Sequence, residues 1–387
     1  MTALVNCSAG FIWTKFVANW LAKCGRTVAL LTWTGWPMPY FNHVLVGMTL
    51  GATLLPVATA ATLGVGTFEG TSHDSRSVGP VRGYIAVLDT RDRSLLPVAS
   101  TPDPARCEDG QTLARETTTA WQRRTGAMLA INGGFWYMPS GQLVPECQLP
   151  PRPYKSAGLL LSSDSALPPA PVLALGLGKA PRIGYSDDLD VSGYEVVVSG
   201  DWIRSTDRQT IHRTLLLDGG QLDKATKRGP RTAVGVDRVM GRLIVVMVEG
   251  RRADSDGLSL NALARLMSAC GASEAMNLDG GGSSTFGYVP PRSSNGKVLL
   301  TKIAIGQVCK PEVLREQGFV LAVAEHSLDK PLRSRPPGGR GSVQGGPDSG
   351  YRPVLNSLGF LLERDAPAQG STRSGRLDEA PTLGRGR

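Results

Sequence analysis

The chain has 387 residues, enough for one large domain or two ordinary ones, and 41% hydrophobic content is enough for a real core. Its net charge of +9 comes without a run of five Lys/Arg and without basic residues interleaved with aromatics, which argues against a nucleic-acid partner. Glycine (47) and proline (27) are abundant and point to many turns, a β-rich architecture or disordered ends.

Residues 1–60 contain Lys15, Lys23 and Arg26 and no acid, so they supply +3 of the charge. Residues 44–66, VLVGMTLGATLLPVATAATLGVG, follow without any charge. Ala58-Thr59-Ala60 is a small-x-small triplet of the kind a signal peptidase cuts after. The region 1–66 is expected to be a signal peptide or a membrane anchor, with 44–66 long enough to span. Pro56 and the Ala/Thr/Gly content weaken the anchor, which favours export to the periplasm, the cell envelope or the medium. A start at Met38 or Met48 and a buried core helix are the competing readings. Cys7 and Cys24 lie in this region. The other four cysteines, Cys107, Cys147, Cys270 and Cys309, are an even set compatible with two disulfides of open pairing. No CxxC occurs, which argues against a zinc ribbon.

Residues 67–80 read as a polar linker. RGYIAVLDT, 82–90, is a predicted strand, and 111–126 is a predicted helix ending near Gly126. AMLAIN at 127–132 is a short apolar run broken by Gly133-Gly134. Strands are expected at 155–163, 194–200, 231–237 and 242–250, the last two joined by a turn at Met240-Gly241. Leu258, Leu260, Leu263, Leu266 and Met267 fall at helical spacing within 257–270, with Ser259 as N-cap and Gly271 as the stop. EAMNL and 318–324 return as strands. Residues 328–349 read as a flexible Pro/Gly/Arg loop, strand character resumes within 352–362, and 364–387 reads as a disordered tail. The fold class expected is α+β: a mixed, mostly antiparallel sheet with a few packed helices.

The stretch AMNLDGGGSST, 275–285, stands out chemically. Side chains alternate along the strand, so Asn277 and Asp279 share a face at its end. Gly280, Gly281 and Gly282 then offer bare backbone for an anion or a close ligand, and Ser283, Ser284 and Thr285 add hydroxyls. No GK[ST] follows, so this is not a P-loop, and no GxGxxG with a following helix marks a dinucleotide site. Three other stretches have similar character: AINGGFW with Asn132 and Gly133, RTAVGVD with Arg231, and VEGRRADSDG with Glu249, Arg251 and Arg252. Each is weak alone, since a glycine pair usually marks a turn and an exposed arginine is usually solvated. His212, a lone histidine beside a strand, reads as structural.

Taken together and in this order, NGGF (132–135), RTAVG (231–235), EGR (249–251), GLSL (257–260), NLDGGGSST (277–285) and RPVLN (352–356) resemble the phosphodiester glycosidase family. The resemblance covers roughly 80–362, and it implies a glycosidase domain over 81–363 that hydrolyses a sugar-1-phosphodiester and releases the sugar. The family includes N-acetylglucosamine-1-phosphodiester α-N-acetylglucosaminidases and exopolysaccharide-associated bacterial members. Two departures stand out. Glu249-Gly250-Arg251 replaces the Asp-Gly-Arg common in the family, and residues 290–350 form an insertion that could cover or widen the site.

Such a reaction needs donors for the phosphate, a carboxyl group for proton transfer or attack at the anomeric carbon, and polar groups for the sugar. The implied assignment places the phosphate on Arg231, Arg251 and the amides of Gly280, Gly281 and Gly282. Asp279 and Glu249 form the catalytic carboxylate pair, and Asn132, Gly133, Asn277, Ser283 and Thr285 orient substrate. No cofactor is required, and a divalent cation, calcium or magnesium, beside the carboxylates is left open. The expected partner is a sugar phosphodiester or glycan, with no nucleic acid, and 44–66 is the segment that would meet a membrane. The rival readings are a non-catalytic envelope protein that binds glycan phosphates, a membrane-tethered structural protein, and a phosphodiesterase cutting the other P–O bond.

Overall fold

β-branched and aliphatic runs dictate most of this architecture, because they pack well on a pleated surface covered on both sides. The computed structural model describes residues 61–74, 77–108, 112–136, 146–149, 154–156, 159–161, 170–200, 202–204, 211–213, 227–291, 300–336 and 348–362. All of them belong to one compact unit, Ala58–Arg387. In chain order the strands begin with β1 (Ala61–Asp74), β2 (Ser77–Asp89), β3 (Leu95–Ala99), β4 (Leu113–Ala114), β5 (Leu129–Asn132), β6 (Cys147–Gln148) and β7 (Tyr154–Ser156). They continue with β8 (Leu159–Leu161), β9 (Pro171–Leu175), β10 (Arg182–Tyr185), β11 (Val196–Ser199), β12 (Trp202–Arg204), β13 (Ile211–Arg213) and β14 (Arg231–Asp237). The last are β15 (Arg242–Val248), β16 (Glu274–Asn277), β17 (Phe286–Tyr288), β18 (Leu300–Lys302), β19 (Phe319–Glu325), β20 (Leu332–Arg333) and β21 (Ser357–Leu362). The helices are α1 (Thr118–Thr125), α2 (Leu260–Ala269), α3 (Ile305–Val308) and α4 (Pro311–Glu316).

The main sheet runs β16-β14-β15-β2-β1-β18, with β19 also on β1. Two five-stranded sheets, β20-β17-β5-β21-β3 and β10-β9-β11-β7-β8, complete the framework, together with the short pairs β12-β13 and β4-β6. β1 and β18 pair in parallel, whereas the other described pairs are antiparallel. The expected mostly antiparallel, α+β character is therefore seen, with the balance well toward β.

The main sheet separates two cores. On one side Val234, Val236, Leu243, Val245, Met247, Met276 and Leu278 meet residues of β5, β17, β21, β9 and β11. On the other, Ala233, Ile244, Val246 and Val248 meet the apolar stripe of α2, including Leu263, Leu266 and Met267. The α2 N-terminus forms as its sequence requires: the Ser259 side chain accepts the Ala262 N–H. Gly235 lets this helix seat, because a Cβ there would lie 2.6 Å from Met267 Cε.

The structure corrects four expectations. Residues 67–74 and 77–80, expected in a linker, lie in β1 and β2, where ladder bonds between these strands and to β19 satisfy the backbone whatever the side chains' polarity. Residues 61–66, expected within an apolar span, also belong to β1. The helix expected over 111–126 shrinks to α1, because Glu116 bridges Val354 and Thr117 caps the helix. Leu332 and Arg333, expected within a flexible loop, form β20 on β17, and the expected insertion also supplies β18, β19, two helices and Cys309 to the framework. The anchor or signal reading of 1–60, residues 337–347 of the Pro/Gly/Arg loop and the 364–387 tail lie outside the described residues. Among the described residues no helix is long and apolar enough to cross a membrane.

The four downstream cysteines pair Cys107–Cys147 and Cys270–Cys309. The second ties the end of α2 to the end of α3. On the loop-entropy account a closure of 39 residues contributes about 4 kcal/mol. Replacing both Cys270 and Cys309 with serine should lower the unfolding free energy by roughly that amount, read by denaturant titration without reductant. A loss below ~1 kcal/mol would show that packing alone holds α2 and α3 in place.

Candidate active site

The glycine-rich segment leaves β16 beside β14 and crosses to β17. Its course is set by backbone bonds: Leu278 N–H to Thr232 C=O (2.8 Å), Asp279 N–H to Gly133 C=O (3.1 Å) and Gly281 N–H to Pro230 C=O (3.0 Å). Asn132, fully buried at the end of β5, pins both ends of the segment. Its Nδ2 donates to the Asp279 carbonyl at 2.6 Å. Its Oδ1 accepts from Thr285 N–H at 3.0 Å and from the Thr232 hydroxyl at 2.8 Å. Gly133 has no room for a side chain, since a Cβ would stand 2.1 Å from Asn356 Oδ1. Gly281 sits at φ +61°, the left-handed region that glycine enters without strain.

Asp279 therefore reaches a partly covered position with a defined surround. Burial pushes its carboxyl above the ordinary aspartate range, while the Ser283 hydroxyl, the Arg352 charge, the Gly280 N–H and the Trp136 indole oppose that shift. The Gly280 N–H donates to Asp279 Oδ1 at 2.8 Å. Three guanidinium groups lie around this point. A Cβ on Gly281 would be 3.0 Å from Arg251 Nη2, and one on Gly282 would be 3.4 Å from Arg352 Cδ, so both arginines border the turn. Arg352 and Arg115 both stand over the Trp136 ring, at 5.1 and 4.8 Å from its centroid. Arg251 has φ +60°, the single positive-φ non-glycine among the described residues, and such strain is commonest at functional positions.

Of the residues singled out in the sequence, the structure gathers Asp279, Gly280, Gly281, Gly282, Ser283 and Arg251 at one place. The others serve different ends. Asn132 directs its amide inward, to the segment's own backbone, and Gly133 supplies a carbonyl. Arg231 borders the turn as well, since a Cβ on Gly280 would lie 3.9 Å from its Cδ, and it donates to Leu258 C=O (3.1 Å) and Lys227 C=O (2.9 Å), bracing the loop before β14 against Leu258. Asn277 is buried within the sheet opposite Ala233. The Thr285 hydroxyl donates to Ser283 C=O. Glu249 is 2% exposed, and its carboxylate accepts from the Tyr84 hydroxyl (3.1 Å), Arg335 N–H (3.0 Å) and Arg335 Nη2 (3.2 Å). Of the two expected carboxylates, Asp279 thus borders the glycine turn and its arginines, and Glu249 is held by Tyr84 and Arg335. Trp136, Arg115 and Arg352 had no assigned role in the sequence. The stretches GGFW and RPVLN carry two of them, and an arginine 73 residues beyond Asp279 gives no local cue.

Residues 125–315 match the family model for phosphodiester glycosidases. The bovine N-acetylglucosamine-1-phosphodiester alpha-N-acetylglucosaminidase is 27% identical over 176 residues, 44% of this chain and 33% of the bovine protein. The chain thus spans about a third of the length of that curated relative. Among solved structures, the zebrafish N-acetylglucosamine-1-phosphodiester alpha-N-acetylglucosaminidase catalytic domain, auto-inhibited by its pro-peptide, is 24% identical. It covers 59% of this chain and 76% of that one, with a TM-score of 0.43. A hypothetical protein from Synechocystis is 14% identical over 77% of this chain and 62% of its own, with a TM-score of 0.37.

The raised Asp279 carboxyl gives a signed stability prediction. Between the ordinary aspartate value and its higher folded value, the folded state binds more protons than the unfolded state, so this group lowers stability as pH rises through that window. Asp279→Asn removes the cost. Its melting temperature at pH 7 should equal or exceed that of wild type, and the difference should vanish in acid. A markedly lower value at pH 7 would mean that the carboxylate stabilises the fold.

Proposed function

We propose that this chain is an exported hydrolase that cleaves the sugar from a sugar-1-phosphodiester of the N-acetylglucosamine type, acting on cell-envelope or exopolysaccharide glycans. The observation that carries this reading is a partly covered carboxylate, Asp279, set beside Arg352, Arg251 and the glycine turn. In it, the phosphodiester lies against the two guanidinium groups at the glycine turn, whose Gly280 and Gly281 N–H groups are taken by Asp279 Oδ1 and Pro230 C=O, and the anomeric carbon faces Asp279. Asp279 takes a proton from water as the water oxygen bonds to the anomeric carbon. The bond from that carbon to the phosphate oxygen breaks, and its electron pair leaves with a phosphomonoester. Charge developing on that oxygen meets fixed cations, so little protonation of the leaving group is needed. A carboxyl raised toward neutrality is the better base.

Glu249 does not enter this scheme, because its oxygens are engaged by Tyr84 and Arg335. Nor does a divalent cation. No group of three His, Cys, Asp or Glu suited to a metal occurs among the described residues, and the guanidinium groups around Asp279 fit an anion better than a cation. Export is supported by the two disulfides, which persist in oxidising compartments. The bovine relative supports the sugar class.

Release of free sugar from an N-acetylglucosamine-1-phosphodiester by the purified chain tests the proposal. Asp279→Asn should lower kcat by about 10²–10⁴-fold. Arg352→Gln should lower kcat/KM by about 10²–10³-fold. The acid limb of the pH–rate profile should lie above the ordinary aspartate range. Phosphodiester binding without turnover by a folded wild type would instead favour the non-catalytic glycan-phosphate binder.

A further inference from the structure

Arg352 sits on a strap, and the strap is fastened at three points. Asp348 accepts from Arg123 Nη1 at 2.9 Å and from the Thr119 hydroxyl at 2.5 Å, which holds one end on α1. Val354 exchanges backbone bonds with Glu116 at 2.9 and 3.1 Å, which holds the other. Between them the buried Tyr351 donates its hydroxyl to the Ser334 carbonyl. Arg352 is the next residue.

Ser334 is itself locked. Its N–H reaches Phe286 C=O at 2.9 Å, and its hydroxyl receives the Phe286 N–H at 2.9 Å. Phe286 stacks on Tyr84, with 5.3 Å between ring centroids. Tyr84 and Arg335, the residue after Ser334, converge on Glu249 through three hydrogen bonds. Asp254 takes the same Arg335 guanidinium at 2.5 Å and is held down to about 2 by it. The path from Glu249 to Arg352 is thus continuous: carboxylate, Arg335 and Tyr84, Ser334 and Phe286, Tyr351, Arg352.

We propose that Glu249 is a positioning residue, fixing the Ser334–Arg335 seat on which Tyr351 docks and thereby setting the Arg352 guanidinium over Trp136 where it meets an anionic group. The charge and shape of Glu249 suit this task. A buried carboxylate that accepts one backbone and two side-chain donors defines a loop position far better than an apolar contact does. Asp254 gives Arg335 a second partner, so losing Glu249 loosens the seat rather than stranding a buried cation. The inference rests on the reading of Arg352 as an anion-binding group, and it does not require that the chain hydrolyse anything.

Inorganic phosphate is the probe, with binding measured by calorimetry on the full chain and folding followed by circular dichroism. Wild type should bind phosphate, and Arg352→Gln should bind it about tenfold more weakly. Glu249→Gln and Tyr351→Phe should each cost about five- to tenfold, and either should add less than about twofold on an Arg352→Gln background. Tyr351→Phe keeps the buried ring and removes only the hydroxyl, so it decides the matter if Glu249→Gln does not fold. Folded single variants with wild-type phosphate affinity, full additivity with Arg352→Gln, or no phosphate binding by wild type would each overturn the inference. Phosphate binding with this coupling pattern but no sugar release would uphold it and remove the hydrolase reading.

Discussion

The site depends on one side chain that never meets solvent. Asn132 has an acceptor that holds Thr285 N–H and the Thr232 hydroxyl, and a donor that holds the Asp279 carbonyl. A loop of three glycines has many conformations to lose, and the few bonds within it are short-range ones that do not fix where its two ends lie. The amide of Asn132 selects it from outside, by tying the first and last residues of 279–285 to the end of β5. In a low-dielectric interior such bonds are strong, and leaving one unmade is costly. The Asp279 carboxylate, the turn at Gly281 and the exit into β17 all follow from that clamp.

Around the clamp the charges are sorted. Asp279 stands among cations at the surface end of β16, while Glu249 is buried among donors at the end of β15. Both are carboxylates one or two residues beyond a strand of the same sheet, yet their environments oppose one another. Burial with incomplete compensation makes the first a group that can change its proton. Full hydrogen bonding makes the second a fixed anchor for the segment around Arg335. Paired carboxylates in a sequence need not be partners in chemistry, and here the hydrogen-bond donors around each separate the two roles.

The parts of the fold that the sequence exposed were those whose pattern is local. β14 and β15 are continuous apolar runs because both faces are covered, and α2 shows its cap and its buried stripe within fourteen residues. β1 was hidden because TFEGTSHD has the composition of a linker, and its order comes from partners elsewhere in the chain. At the site, the specific run NLDGGGSST was legible, as was Arg251 beside it. Asn132 was read as ligand-facing because a polar residue next to glycines resembles a binding group, but its amide is spent on the protein's own backbone and on Thr232. Trp136, Arg115 and Arg352 come together only through tertiary structure, so no spacing rule could reveal them.

The place of β1 in the main sheet has a kinetic meaning. Its first residues pair with Leu300–Lys302 and its middle with Phe319–Glu325, so Ala61 meets Leu300 and Ser72 meets Phe319. Contacts so distant along the chain carry a large loop-closure entropy and make folding slow. The strand nearest the front of the domain cannot finish its pairing until the last third of the domain has been synthesised. A nascent chain of this kind keeps one edge of its main sheet open for most of its synthesis.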